Sequence, residues 1–176
     1  VLPDGKSASP IVDAWVNAES ARFISRWKSL MRGNLRAVKA SEVPDAIEAG
    51  KTQSLILWGT PESNRCIRQL ADSLPMQWDR EHVALGGHSL NAKNHVPVLT
   101  YPCLQSAGFD AVFNSGLTFR EVHDRTNSLQ NPKLPDWAIL DITQPPDAAS
   151  AGKVVAADFF DEHWQVRSNM PPVDKR

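Results

Sequence analysis

The sequence predicts an α/β domain: one three-layer unit with a mainly parallel sheet and a helix at its N-terminal end. Three observations predict it. Short apolar runs alternate with helical patterns, as in strand–helix–strand units around a buried sheet. The chain has 176 residues, the size of one ordinary domain, and shows no internal repeat or low-complexity linker between residues 10 and 165. Hydrophobic residues make up 41% and charged residues 22%, a globular balance that excludes intrinsic disorder.

The elements follow in order. Ser9-Pro10 offers an N-cap with proline at the first helical position. Val12, Val16, Phe23, Trp27 and Leu30 then recur at helical spacing. Arg26, Lys28 and Arg32 suit the negative end of the helix dipole, and Gly33 supplies a stop. Residues 35–38 read as a short strand, and residues 41–49 as a short helix closed by Gly50. Residues 54–58 form a continuous apolar run, the pattern of a strand buried on both faces. Thr60-Pro61-Glu62 reads as the start of a helix whose stripe is Ile67, Leu70, Ala71 and Leu74, with Pro75 as its end. Strands are predicted around residues 83–85, 96–101 and 110–113. Thr118 and Glu121 have the spacing of a capping box, predicting a helix to about Leu129. Residues 137–140 and 154–157 are the last two strands. Residues 1–9 read as an N-terminal extension, 10–166 as the domain, and 167–176 as a flexible polar tail.

Composition also removes functional classes. A net charge of −1 gives no bulk attraction to nucleic acid or an anionic membrane. No apolar run approaches the ~20 residues that span a bilayer. The chain begins Val1-Leu2-Pro3 with no charged-then-apolar leader, so it reads as an excised piece of a longer protein. Cys66 and Cys103 match no zinc or redox spacing. They read as buried small residues, or as a disulfide if the protein is exported.

Several motifs could carry chemistry. Gly87-His88-Ser89-Leu90 is similar to the nucleophile elbow of serine hydrolases, but Asn91 stands where the second glycine belongs. Residues 92–96 also run into Pro97 with no room for the elbow's helix, so a glycine-rich loop is the preferred reading. A small autonomous esterase would use Ser89 with His163. His82, His88, His95, His123 and His163 contain no metal-binding pair, so no metal is expected. Asp158, Asp161 and Glu162 read as a solvated strand end. Trp15, Trp27, Trp58 and Trp137 fit the core, leaving Trp78 and Trp164 free to be exposed.

The stronger constellation comes from two strand-to-helix junctions, residues 58–65 and 114–121. In open parallel sheets ligands bind at the carboxyl ends of strands. If these strands are neighbours, the junctions frame a crevice suited to a small polar or anionic ligand. Its candidate residues are Thr60, Ser63, Asn64, Asn114, Ser115 and Arg120. The competing reading is helix capping alone, which explains Thr60, Thr118 and Glu121. Neither junction matches a phosphate or dinucleotide fingerprint, so no cofactor is expected.

Four blocks together carry a family resemblance: residues 55–64 (LILWGTPESN), 96–102 (VPVLTYP), 114–121 (NSGLTFRE) and 134–138 (LPDWA). Over residues 35–166 the chain resembles the C-terminal module that follows the α/β-hydrolase domain in large exported bacterial prolyl-oligopeptidase-like peptidases and esterases, especially of planctomycete type. Residues 103–110 depart from that family's asparagine-proline-rich turn. The family's catalytic serine lies in the upstream domain, so no catalytic residue carries over. The resemblance implies export and a covalently attached hydrolase partner. The expected role is then a non-catalytic accessory or substrate-positioning domain. A purely structural interaction domain is the third reading, which exposed apolar surface on the first helix would favour.

Overall fold

The computed structural model describes residues 1–102 and 109–167. It begins with α1 (Pro10–Met31), a helix of 22 residues. Ser9 caps it through its side-chain oxygen on the Val12 amide, a bond worth about 1 kcal/mol. Arg32, not Gly33, takes the left-handed C-cap conformation, with φ 54°. The buried face of α1 includes Val12, Trp15, Val16, Glu19, Phe23 and Arg26, spaced three and four residues apart.

The central sheet has five strands: β1 (Leu55–Leu57), β5 (His95–Pro102), β6 (Asp110–Phe113), β7 (Trp137–Asp141) and β8 (Lys153–Asp158). Their spatial order is β1-β6-β5-β7-β8. A separate antiparallel meander joins β2 (Gln77–Trp78), β3 (His82–Leu85) and β4 (His88–Asn91). Two short helices, α2 (Ala46–Gly50) and α3 (Arg65–Leu70), complete the fold.

Alternation along the strands assigns the two faces of the sheet. Val98, Ala138 and Leu140 pack with Val12, Trp15 and Phe23 of α1. Leu57, Phe113, Trp137 and Ile139 face the other way, toward Ile67 of α3 and the Val83 and Leu85 side of the meander. The meander's turn sits directly on this core. A Cβ on Gly86 would stand 2.4 Å from the Trp137 ring, and φ there is +60°, so the position requires glycine twice over.

The mainly parallel sheet predicted from the sequence is not what forms. Among the described strands of this sheet only β1–β6 is a parallel pair, and the β6–β5, β5–β7 and β7–β8 pairings are all antiparallel. The prediction counted a helix over residues 118–129 as a crossover. That segment instead makes two single 3₁₀ turns, Glu121–His123 and Asn127–Leu129. It lacks a continuous apolar stripe, and its Val122 is 47% exposed. Thr118 does not cap a helix; its hydroxyl accepts from the Lys133 amide at 2.8 Å. A second helix start also moves. Thr60-Pro61-Glu62 is a turn, and Asn64 is the N-cap of α3.

Smaller differences have equally local causes. Residues 35–38 form no strand; nearby, Lys39 makes a single parallel bridge to Leu2. Residues 1–9, read as an extension, are tied into the domain, with Leu2 N donating to Val38 O and Ser9 Oγ to Lys93 O. Trp78 is buried, whereas Trp164 is half-buried. Cys66 is a fully buried free thiol, pushed above its ordinary pKa by that burial. Cys103 and the tail from residue 168 lie outside the described residues. No helix among the described residues is long and apolar enough to cross a membrane.

Candidate functional site

The sequence condition for a crevice is met in one respect. β1 and β6 are parallel neighbours, so the junctions that follow them lie side by side. What the junctions do there is tie to each other. Gly59 N donates to Asn114 Oδ1 at 2.8 Å, and Asn114 Nδ2 donates back to Gly59 O at 2.9 Å and to Pro97 O at 3.3 Å. Asn114 holds φ 51°, a left-handed conformation that asparagine tolerates better than most residues.

The first junction is closed in the same way. Asn64 Nδ2 donates to Trp58 O, and its Oδ1 accepts from the amides of Cys66 and Ile67. Ser63 Oγ accepts from Thr60 N at 2.9 Å and lies 3.3 Å from the Thr60 hydroxyl. Asn64, Asn114 and Ser63 are at most 2% exposed. Thr60 and Ser115 are half-buried. The structure therefore brings Thr60, Ser63, Asn64 and Asn114 into one polar seam, with Ser115 beside it.

Arg120 points elsewhere. It forms a bidentate pair with Glu19 of α1, at 2.7 and 3.1 Å, and donates Nε to Asp147 O at 2.7 Å. Glu19 and Arg120 are 5% and 4% exposed. Alongside, Arg26 grips Asp124 at 2.7 and 2.8 Å, and Arg22 reaches Glu121 at 3.1 Å. Arg26 also lies over the Phe119 ring. This ionic strap holds the 119–124 segment on α1. Sequence reasoning missed Glu19 and took Arg26 for a cation at the helix end, where it is instead buried and paired with Asp124. The available signal was their position on the apolar stripe of α1, where a charged residue needs a buried partner.

The strap makes stability depend on acid. The Arg26 guanidinium, by hydrogen bonding, holds the Asp124 carboxyl below its usual range. Burial opposes ionisation of Glu121, but its own amide, Arg22 and Arg26 outweigh it and keep that carboxyl low as well. A carboxyl held low in the folded state stabilises the fold fully above its unfolded pKa, and that contribution is lost as pH falls through the folded value. Unfolding free energy is therefore expected to drop below ~pH 4. Asp124→Asn should flatten part of that slope in urea titrations across pH; an unchanged slope would remove the Arg26–Asp124 pair from the account.

The hydrolase-like features separate. Ser89 lies in β4, paired with Ala84 across the hairpin, and Gly86-Gly87 form its two-residue turn with φ values of +60° and +79°. The glycines serve that turn, and no helix follows Ser89 to make an elbow. Among the described residues no histidine hydrogen-bonds to Ser89. His163 lies in a turn where Asp161 accepts from the amides of His163 and Gln165. Asp158 likewise accepts from the Phe159 amide. Among the described residues no cluster of His, Cys, Asp or Glu is placed to hold a metal ion.

One open groove lies next to the seam. Of about 560 Å³, it runs between Trp27 of α1, the 116–119 loop and Pro132–Asp136, with Phe159 at its rim. Phe159 is 53% exposed. The lining is mostly aromatic and aliphatic, with the hydroxyls of Thr100, Ser115 and Thr118 and the Asp136 carboxyl, a chemistry that suits apolar groups and supplies no cation to an anion. Compared with known proteins, the chain matches no family model, no curated protein and no solved structure.

Proposed function

We propose that this chain is a non-catalytic accessory domain of a larger exported hydrolase, packing on the catalytic domain or holding substrate near it. The observation that carries this reading is the polar seam. The side chains best suited to chemistry at a sheet end spend their hydrogen bonds on the fold: Asn114 ties the β6 end to the β1 end, and Asn64 closes the β1 junction onto α3. Such a seam makes a rigid scaffold, and it supports a role exerted through the surface. The family-like blocks at residues 55–64 and 114–121 are the two junctions that build it.

The esterase reading is weakened by the placement of Ser89 in a hairpin strand. The purely structural reading looked to exposed apolar surface on the first helix. Ile11 and Met31 are each 50% exposed. They sit at opposite ends of α1, about 30 Å apart, and make no common patch.

The test has two arms. The purified chain is treated with a serine-directed fluorophosphonate beside a Ser89→Ala control, and no labelling is expected. Stoichiometric labelling that vanishes in the control would make the chain an enzyme. In the parent hydrolase, deletion of these residues is expected to raise KM while the catalytic serine still labels; unchanged KM and stability would sink the accessory role.

A further inference from the structure

The two edges of the five-stranded sheet are finished differently. At the β1 edge, Val1 N donates to Ile56 O at 2.5 Å and Trp58 N donates to Val1 O at 3.0 Å. Leu2 continues this cover with its bridge to Lys39. At the other edge stands β8, and among the described residues no strand pairs with its outer side. Val154 there is 46% exposed. Such an edge is a template for another strand.

The sequence of β8, Lys153-Val154-Val155-Ala156-Ala157-Asp158, carries opposite charges at its ends. Laid antiparallel on its own copy, it would set Lys153 of each chain against Asp158 of the other. Directly opposed residues in an antiparallel pair share a face of the sheet, and residues five apart in a regular strand do not. The β-bulge in β8 changes that parity. Its register places Asp158 opposite Trp137 and Lys153 opposite Asp141. Trp137 and Asp141 are four residues apart on β7 and share one face, so Lys153 and Asp158 share it too.

We propose that β8 is a self-association edge, pairing antiparallel with β8 of a second copy about a two-fold axis between Val155 and Ala156. A closed isologous contact of this kind joins the two sheets into one. Charge also selects the direction. A parallel pairing in register would set Lys153 against Lys153 and Asp158 against Asp158, which is repulsive. Within the chain Lys153 also stands opposite Asp141, which faces His95 on its other side, and that carboxylate shares the ammonium with Asp158 of the second copy.

The test is sedimentation velocity of the whole chain over a range of concentrations, with Lys153→Asp, Asp158→Lys and the double exchange. Wild type is expected to dimerise reversibly. Each single variant turns two attractive contacts into repulsive ones and should weaken the dimer about tenfold. The double exchange should restore it. Circular dichroism checks that each variant is folded. Lys153→Asp carries the test alone should Asp158→Lys, which loses the bond to the Phe159 amide, unfold. A chain monomeric at every concentration overturns the proposal, as does a dimer indifferent to the single variants or one that the double exchange fails to restore.

Discussion

Replacing Arg120 with alanine is expected to cost about 3–5 kcal/mol of unfolding free energy. The guanidinium spans two elements, holding Glu19 of α1 with both terminal nitrogens and the Asp147 carbonyl with Nε. Its removal leaves a carboxylate that is 5% exposed without its partner. The nearest remaining cation, Arg22, stands 4.0 Å from Glu19. Taking one member from a buried pair costs far more than removing both, because the survivor keeps its desolvation penalty. Arg120→Ala combined with Glu19→Leu should therefore recover much of the loss. Arg120→Lys should not, since one ammonium cannot serve both Glu19 and Asp147 in a planar fork. Urea unfolding at neutral pH gives the comparison, read as a shift of midpoint at constant slope. A single-variant loss within about 1 kcal/mol would mean that the pair behaves like an exposed one.

Much of the frame was legible in the sequence because it rests on local signals. The Ser9-Pro10 start of α1 and the apolar runs at β1, β5, β6, β7 and β8 are short-range patterns, and they fold as read. Strand direction was not legible. Whether a neighbour is parallel depends on what connects the strands, and the capping-box spacing of Thr118 and Glu121 mimicked a crossover helix. The hydrogen-bonding demand of Arg120, buried against α1, competes with that helix. The Gly86-Gly87 hairpin was legible in principle, since two glycines between short β-patterned runs favour a two-residue turn. The sequence reading placed a glycine-rich loop there ahead of a nucleophile elbow, and that loop is the turn joining β3 to β4. The candidate site was half legible. Parallel pairing of β1 with β6 brings Thr60, Ser63, Asn64 and Asn114 together as the spacing suggests. That they satisfy one another could not be read from residue types, because Asn and Ser suit a ligand crevice and a structural seam equally well.

Asn114→Ala decides between those two uses. Three side-chain hydrogen bonds, to Gly59 N, Gly59 O and Pro97 O, disappear together. Leaving one buried donor unpaired costs about 1–3 kcal/mol, and alanine in the left-handed conformation adds about 1 kcal/mol. The expected loss is about 3 kcal/mol in urea unfolding, summed from those two effects. Asn114→Gly should recover the backbone part, about 1 kcal/mol, and no more. Asn114→Asp keeps the shape and the acceptor for Gly59 N but turns the donor into an oxygen facing two carbonyls. It should be at least as damaging as alanine at neutral pH, and should improve as the solution is acidified and the carboxyl takes up a proton. A residue kept for a ligand behaves otherwise. Its polar atoms stand free in the empty protein, and truncation leaves stability near wild type while affinity falls. Stability of Asn114→Ala within about 0.5 kcal/mol of wild type would therefore return Asn114 to the ligand crevice and undo the seam.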